Sequence, residues 1–127
     1  MALAFLSPEW ADAVKAGLNT DEAFKQGSAG QRATIQQVIT SDDGETQYWI
    51  RVADGKIDMG VGVAENPDAT ITQSYQTAVA LARSELNPIT AFMTGKIKVA
   101  GNMGMLLGLQ AALTRLPVVM QTLDVAY

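Results

Sequence analysis

Gln47-Tyr48-Trp49-Ile50-Arg51-Val52-Ala53, then Asp54-Gly55, then Lys56-Ile57-Asp58-Met59-Gly60-Val61-Gly62-Val63 is the stretch that decides the fold class. Tyr48, Ile50 and Val52 alternate with Gln47, Trp49 and Arg51, and Ile57, Met59, Val61 and Val63 alternate with Lys56, Asp58, Gly60 and Gly62. A period of two sends alternate side chains to opposite faces of a strand. Asp-Gly tolerates positive φ at both turn positions, so the two runs read as an antiparallel hairpin. Asp43-Gly44 repeats the signal behind a run from Arg32 to Thr40, and together the three strands predict an antiparallel meander with one apolar face. Trp49 and Val38 break the pattern on the polar face.

Working outward, Ser7 as N-cap and Pro8 at the first helical position open a helix with Trp10, Val14 and Leu18 on one face; Thr20-Asp21-Glu22 restarts it. Beyond the meander the pattern predicts a strand from Ala69 to Gln73, then a helix from Tyr75 to Leu86 with Ala78, Leu81, Ala82 and Leu86 inward, stopped by Asn87-Pro88. Ile89 to Met93 reads as a helical turn and Lys96 to Ala100 as a last strand. From Asn102, a plausible N-cap, an almost wholly apolar helix is expected to run to Leu116 through Met103, Met105, Leu106, Leu107, Leu109 and Leu113, with Gln110, Thr114 and Arg115 as polar interruptions. Pro117 is expected to end or kink it. Gly104 and Gly108, one turn apart, would let a helix, the sheet or a ligand approach closely. A helix this apolar must be buried or face a lipid, and an internal cavity answers the problem in a small protein.

The 127 residues suit one domain spanning 1–127. A chain of this size buries roughly two thirds of its unfolded surface. With 48% hydrophobic but only 6% aromatic residues, the interior is aliphatic and includes six methionines, whose flexibility suits a wall that adapts to its ligand. A net charge of -4 without a basic cluster argues against nucleic acid. The lack of cysteine removes disulfides and thiolate chemistry and fits a reducing, cytoplasmic setting. The start of the chain lacks the basic region of a secretory signal, and the most apolar stretch, Val99 to Met120, is too interrupted to span a membrane.

Catalysis has little to work with. Without histidine, Ser-His-Asp and Cys-His arrangements are excluded. Asp42 and Asp43 sit where a turn favours aspartate, and no spaced oxygen ligands suggest calcium. Neither a catalytic residue, a metal site nor a cofactor is expected, and the glycines from Gly101 to Gly108 match no nucleotide motif. Lys96 and Lys98 share one strand face, with Ile97 and Val99 on the other; they read as guards on a solvated edge, or as a contact for an anionic head group or membrane surface at a cavity mouth.

Asp68-Ala69-Thr70-Ile71-Thr72, a helix, Leu86-Asn87-Pro88, Ala91-Phe92, Gly95-Lys96-Ile97-Lys98, Gly101-Asn102-Met103-Gly104 and Leu109-Gln110, in that order, closely resemble the sterol carrier protein type 2 family, whose members hold lipids in a hydrophobic tunnel. The likeness is densest from Asp68 to Gln110. It implies an α+β fold: a five-stranded, mainly antiparallel sheet with helices packed on one face, enclosing a hydrophobic tunnel. It also implies non-catalytic binding or transfer of a fatty acid, acyl-CoA or sterol-like lipid. The wall residues expected on this basis are Phe92, Met103, Leu106, Leu107 and Leu109, with Ile50, Met59 and Val61 from the sheet and Met120 and Leu123 as a lid. The alternative is an accessory module, a homodimer or a partner of a lipid- or steroid-metabolising enzyme. The final Val125-Ala126-Tyr127 does not form the peroxisomal address that some eukaryotic relatives carry.

Overall fold

Residues 2–83, 85–86, 88–109, 112 and 114–126 are described by a computed structural model. Its centre is the expected meander: β2 (Arg32–Ser41), β3 (Gly44–Ala53) and β4 (Lys56–Val61), antiparallel throughout. Asp54 and Gly55 form the second turn with φ of 48° and 83°, the double positive pair that a two-residue hairpin requires. The first turn differs from expectation by one residue. Ser41 pairs with Gly44, so Asp42-Asp43 make the loop and Gly44 opens the next strand.

β5 (Ala69–Ser74) joins the other side of β2 in parallel, and β6 (Ile97–Gly101) lies antiparallel at the edge, giving the order β4-β3-β2-β5-β6. The sheet is thus mixed only at its centre. To reach β5 the chain crosses from one edge over the outer face, and Gln36 clasps that crossing. Its Nε2 donates to the carbonyls of Tyr48 and Gly62 (3.2 and 3.0 Å), and its Oε1 accepts the Ala64 N–H at 2.8 Å. β4 ends at Val61 rather than Val63, where the chain leaves for this crossing. Gly101 closes the far end of the sheet at φ +106°, where a Cβ would lie 2.5 Å from the Asp68 carbonyl oxygen. On the outer face Trp49, a break in the pattern, stacks over Gly60, and the Arg51 guanidinium sits 5.0 Å from its ring centre.

The helices cover the opposite face. α1 (Pro8–Asn19) is capped by Ser7 Oγ, which accepts the Trp10 N–H at 3.2 Å, and it buries Trp10, Val14 and Leu18 as its spacing predicts. Asn19 ties its end to β4, accepting the Ile57 N–H (2.9 Å) and donating to the Ile57 carbonyl (3.1 Å). α2 (Glu22–Ser28) starts on Asp21 and α3 on Ser74, both N-caps. α3 (Tyr75–Ala82) stops at the Arg83 cap, short of Leu86. Pro88 opens a short helix, α4 (Pro88–Met93).

The single apolar helix expected from Asn102 to Leu116 is not formed. Asn102 does cap α5 (Met103–Gly108), but the Leu109 N–H closes it onto preceding carbonyls, and a new helix, α6 (Arg115–Gln121), follows. Pro117 falls in the first turn of α6, where its missing N–H costs nothing, so it neither ends nor kinks a helix. Among the described residues neither a helix nor the sheet comes close to Gly104 or Gly108: a Cβ there would meet Asn102 Oδ1 at 3.5 Å and the Gln31 amide at 3.7 Å. The glycine that does fit a tight crossing is Gly17 of α1, whose Cβ would come 2.6 Å from Val119 Cγ1 of α6. Asn87, Gln110 and Leu113 lie outside the described residues. Finally β1 (Leu3–Ala4) and β7 (Val125–Ala126) pair in parallel and bring the two ends of the chain together.

Candidate functional site

Sheet pairing lines up one row of side chains on the helix-covered face: Val99, Ile71, Gln37, Tyr48 and Val61; Ile97 and Gln73 belong to the adjacent row. Above these rows lies a cavity of about 160 Å³. Gln37, Tyr48, Ile71, Gln73 and Ile97 are its floor; Ala78, Leu81 and Ala82 of α3 are one wall; Leu116, Pro117 and Met120 of α6 are its roof, and Phe5 closes one side. A cavity of about 150 Å³ lined by Leu, Ile and Phe takes up a benzene ring. This one therefore admits a ring or a segment of about six carbons as it stands.

The aromatic residues beside it interlock edge to face. Phe5 meets Trp10 at 5.2 Å and Tyr75 at 5.7 Å, and Trp10 meets Tyr48 at 5.3 Å. They tie α1, α3 and the first residues of the chain to the sheet. The roof has its own anchor. Arg115, the first residue of α6, donates through Nε (2.8 Å) and Nη2 (3.1 Å) to the two carboxylate oxygens of Asp21, which also accepts the Phe24 N–H as the cap of α2. The bond from Arg115 holds the Asp21 carboxyl below the usual carboxylate range.

Two polar side chains face the cavity from the floor as a pair. Gln73 Nε2 donates to Gln37 Oε1 at 3.1 Å, while Gln73 Oε1 is buried without a partner. Burial pushes the Tyr48 hydroxyl well above its ordinary pKa and keeps it a neutral phenol. Among the described residues no cationic side chain lines the cavity. A larger hollow of about 420 Å³, edged by Thr40, Ser41, Asp42, Ser74, Tyr75 and Gln76, lacks an aliphatic lining.

A family model described as the SCP-2 sterol transfer family matches residues 18–114. The chain belongs to that family. Chicken (Gallus gallus) sterol carrier protein 2 is 39% identical over 66 residues, which are 52% of this chain and 12% of the chicken protein. The match thus spans about an eighth of that relative. A crystal structure of sterol carrier protein 2 superposes with a TM-score of 0.81 at 20% identity, covering 94% of this chain and 98% of the other. The solution structure of sterol carrier protein domain 2 from Helicoverpa armigera gives a TM-score of 0.66 at 29% identity over 86% and 84% of the two chains. The five-stranded, mostly antiparallel sheet with its helices is the sterol carrier protein fold.

Of the residues expected at the wall, the structure brings Met120 to the cavity. Ile50 and Met59 are buried on the same sheet face and Leu109 is fully buried, all in the core. Leu106 and Leu123 pack against that core half-buried. Val61, Phe92, Met103 and Leu107 are exposed by 45%, 43%, 38% and 67% and do not line it. The floor was overlooked in Gln37 and Gln73, which interrupt apolar alternation at Ala33-Ile35-Ile39 and Ala69-Ile71. A glutamine on the apolar side of a strand was the available signal. Among the described residues no helix is long and apolar enough to cross a membrane, and no acidic cluster could hold a metal.

Proposed function

We propose that this chain, acting as one domain, binds and carries a hydrophobic molecule of the fatty acid, acyl-CoA or sterol-like class without transforming it. The observation that carries the reading is the cavity between the sheet and α3 and α6, with its aliphatic wall and its roof on a short helix. A chain of about sixteen carbons gains on the order of 12 kcal/mol gross at ~0.8 kcal/mol per buried methylene. Association costs of roughly 4–15 kcal/mol leave room for micromolar binding. Since the cavity admits only a short segment, a longer ligand is accommodated when Leu116, Pro117 and Met120 lift from the sheet. Leu109, buried in the core, and Leu106 and Leu123, packed against it, are assigned to the apolar lining that this movement would expose. Phe92, Met103 and Leu107, near Lys96 and Lys98 in the chain, are assigned to transient contact with a membrane surface during transfer.

Native mass spectrometry of the purified protein, followed by organic extraction, tests the reading. A stoichiometric lipid supports it; a protein that carries none and takes up no fluorescent fatty acid refutes it. The edge strand β4, with Val61 at its end exposed by 45% and Val63 just beyond it by 72%, favours a second reading as an assembly or dimerisation module for a lipid- or steroid-metabolising enzyme. A stable dimer that covers β4 and binds no lipid would favour that reading.

A further inference from the structure

A carrier that relied on hydrophobic transfer alone would have a wholly apolar floor. This floor carries Gln37 and Gln73, 7% and 8% exposed, and one carbonyl oxygen of the pair is buried with no donor. The other buried side-chain atom without a partner among the described residues, Trp10 Nε1, does not line the cavity. A buried acceptor of this kind is costly unless something satisfies it. Resting on the reading of the cavity as a ligand site, we infer that the ligand enters head first and places a neutral hydroxyl group against Gln73, Gln37 and Tyr48.

The chemistry selects the head group. Gln73 Oε1 accepts only, so the ligand must donate. The Tyr48 phenol and the Gln37 amide carry N–H or O–H groups that a ligand oxygen can accept. A hydroxyl does both, and it does so in either orientation of the two amides, because the hydrogen-bonded pair always leaves one carbonyl and one N–H facing outward. A carboxylate accepts but cannot donate, and it would be buried with no cation among the described lining residues. An ether accepts without donating. The ligand class is therefore an apolar alcohol, bound with its tail toward Leu116, Pro117 and Met120.

The test is displacement of a fluorescent apolar probe by 1-dodecanol, dodecyl methyl ether and dodecanoate, using the full chain and the Gln37→Leu/Gln73→Met double variant. The unmodified protein should prefer dodecanol to the ether roughly tenfold, the worth of one hydrogen bond to a buried acceptor. Dodecanoate should bind more weakly than dodecanol at pH 7 and gain as the pH falls and the acid becomes neutral. The Gln37→Leu/Gln73→Met double variant, which leaves no floor amide to accept from the ligand, should bring the alcohol-to-ether ratio close to one while still binding the apolar probe. Equal binding of dodecanol and ether by the unmodified protein, or a preference that survives in the double variant, overturns the inference and leaves lipid binding standing. If neither the probe nor any of the three ligands binds, the carrier reading fails, and this inference with it.

Discussion

Replacing both floor glutamines, as Gln37→Leu with Gln73→Met, should make the empty protein more stable. The wild type contains one hydrogen bond between the two amides and one buried carbonyl oxygen with no partner. The unpaired oxygen costs about 1–3 kcal/mol. Gln73→Met alone removes that oxygen but strips Gln37 Oε1 of its donor, exchanging one unpaired acceptor for another, and should change stability by less than about 1 kcal/mol. Gln37→Leu alone leaves the whole Gln73 amide unpaired and should lose about 1–3 kcal/mol. The double variant removes both floor amides and with them the floor's unpaired acceptor, and should gain about 1–3 kcal/mol, so the two substitutions couple by at least about 2 kcal/mol. Urea unfolding followed by the fluorescence of Trp10, fully buried in the core, reads these differences; in a thermal scan each kcal/mol corresponds to about 4 °C for a chain of this length. A double variant less stable than the wild type would refute the reasoning, because it would mean that water satisfies the floor and the cavity is wet.

Gly101→Ala places a Cβ 2.5 Å from the Asp68 carbonyl oxygen at φ +106° and should cost about 2–5 kcal/mol, seen as a lower urea midpoint. Gly17→Ala gains about 1 kcal/mol of helix propensity but drives a Cβ to 2.6 Å from Val119 Cγ1. That overpacking costs about 1–3 kcal/mol and wins, so the variant is destabilised; adding Val119→Ala should rescue it if the clash is the cause. Asp21 has a folded pKa held below its unfolded value by Arg115, so its contribution is fully present above the unfolded pKa and is lost as pH falls through the folded one. Asp21→Asn should therefore flatten the acid limb of the stability profile while leaving its shape near neutrality unchanged; identical acid limbs would exclude the pair as the cause.

The sheet was legible because its signals are local. Asp54-Gly55 and the alternation around it fix turn and register within a few residues, and the caps at Ser7 and Asn102 behave as their side chains dictate. The region after Asn102 was misread for a different reason. An uninterrupted apolar sequence says nothing about where a helix stops, and exposed Leu107 and Met103 illustrate that apolar residues are not confined to interiors. Pro117 was read as a break, yet only tertiary placement decides whether a proline falls inside a helix or in its first turn. The cavity depends on contacts between residues far apart in the chain. Gln37 and Gln73 meet through the parallel pairing of β2 and β5, which no local pattern encodes.

That parallel pairing also orders events in time. The meander of β2, β3 and β4 closes through two-residue loops, whereas β5 reaches β2 only after the crossing clasped by Gln36, and β1 finds β7 across nearly the whole chain. Contacts of long sequence separation form late because the loops they close must first lose their entropy. The meander is therefore expected to form first, with β5, α3, α6 and the joined ends assembling on it afterwards. The same hierarchy, run backwards, lets the cavity's half of the molecule open while the meander stays folded. Amide hydrogen exchange would register this as slow protons in β3 beside faster ones in α6.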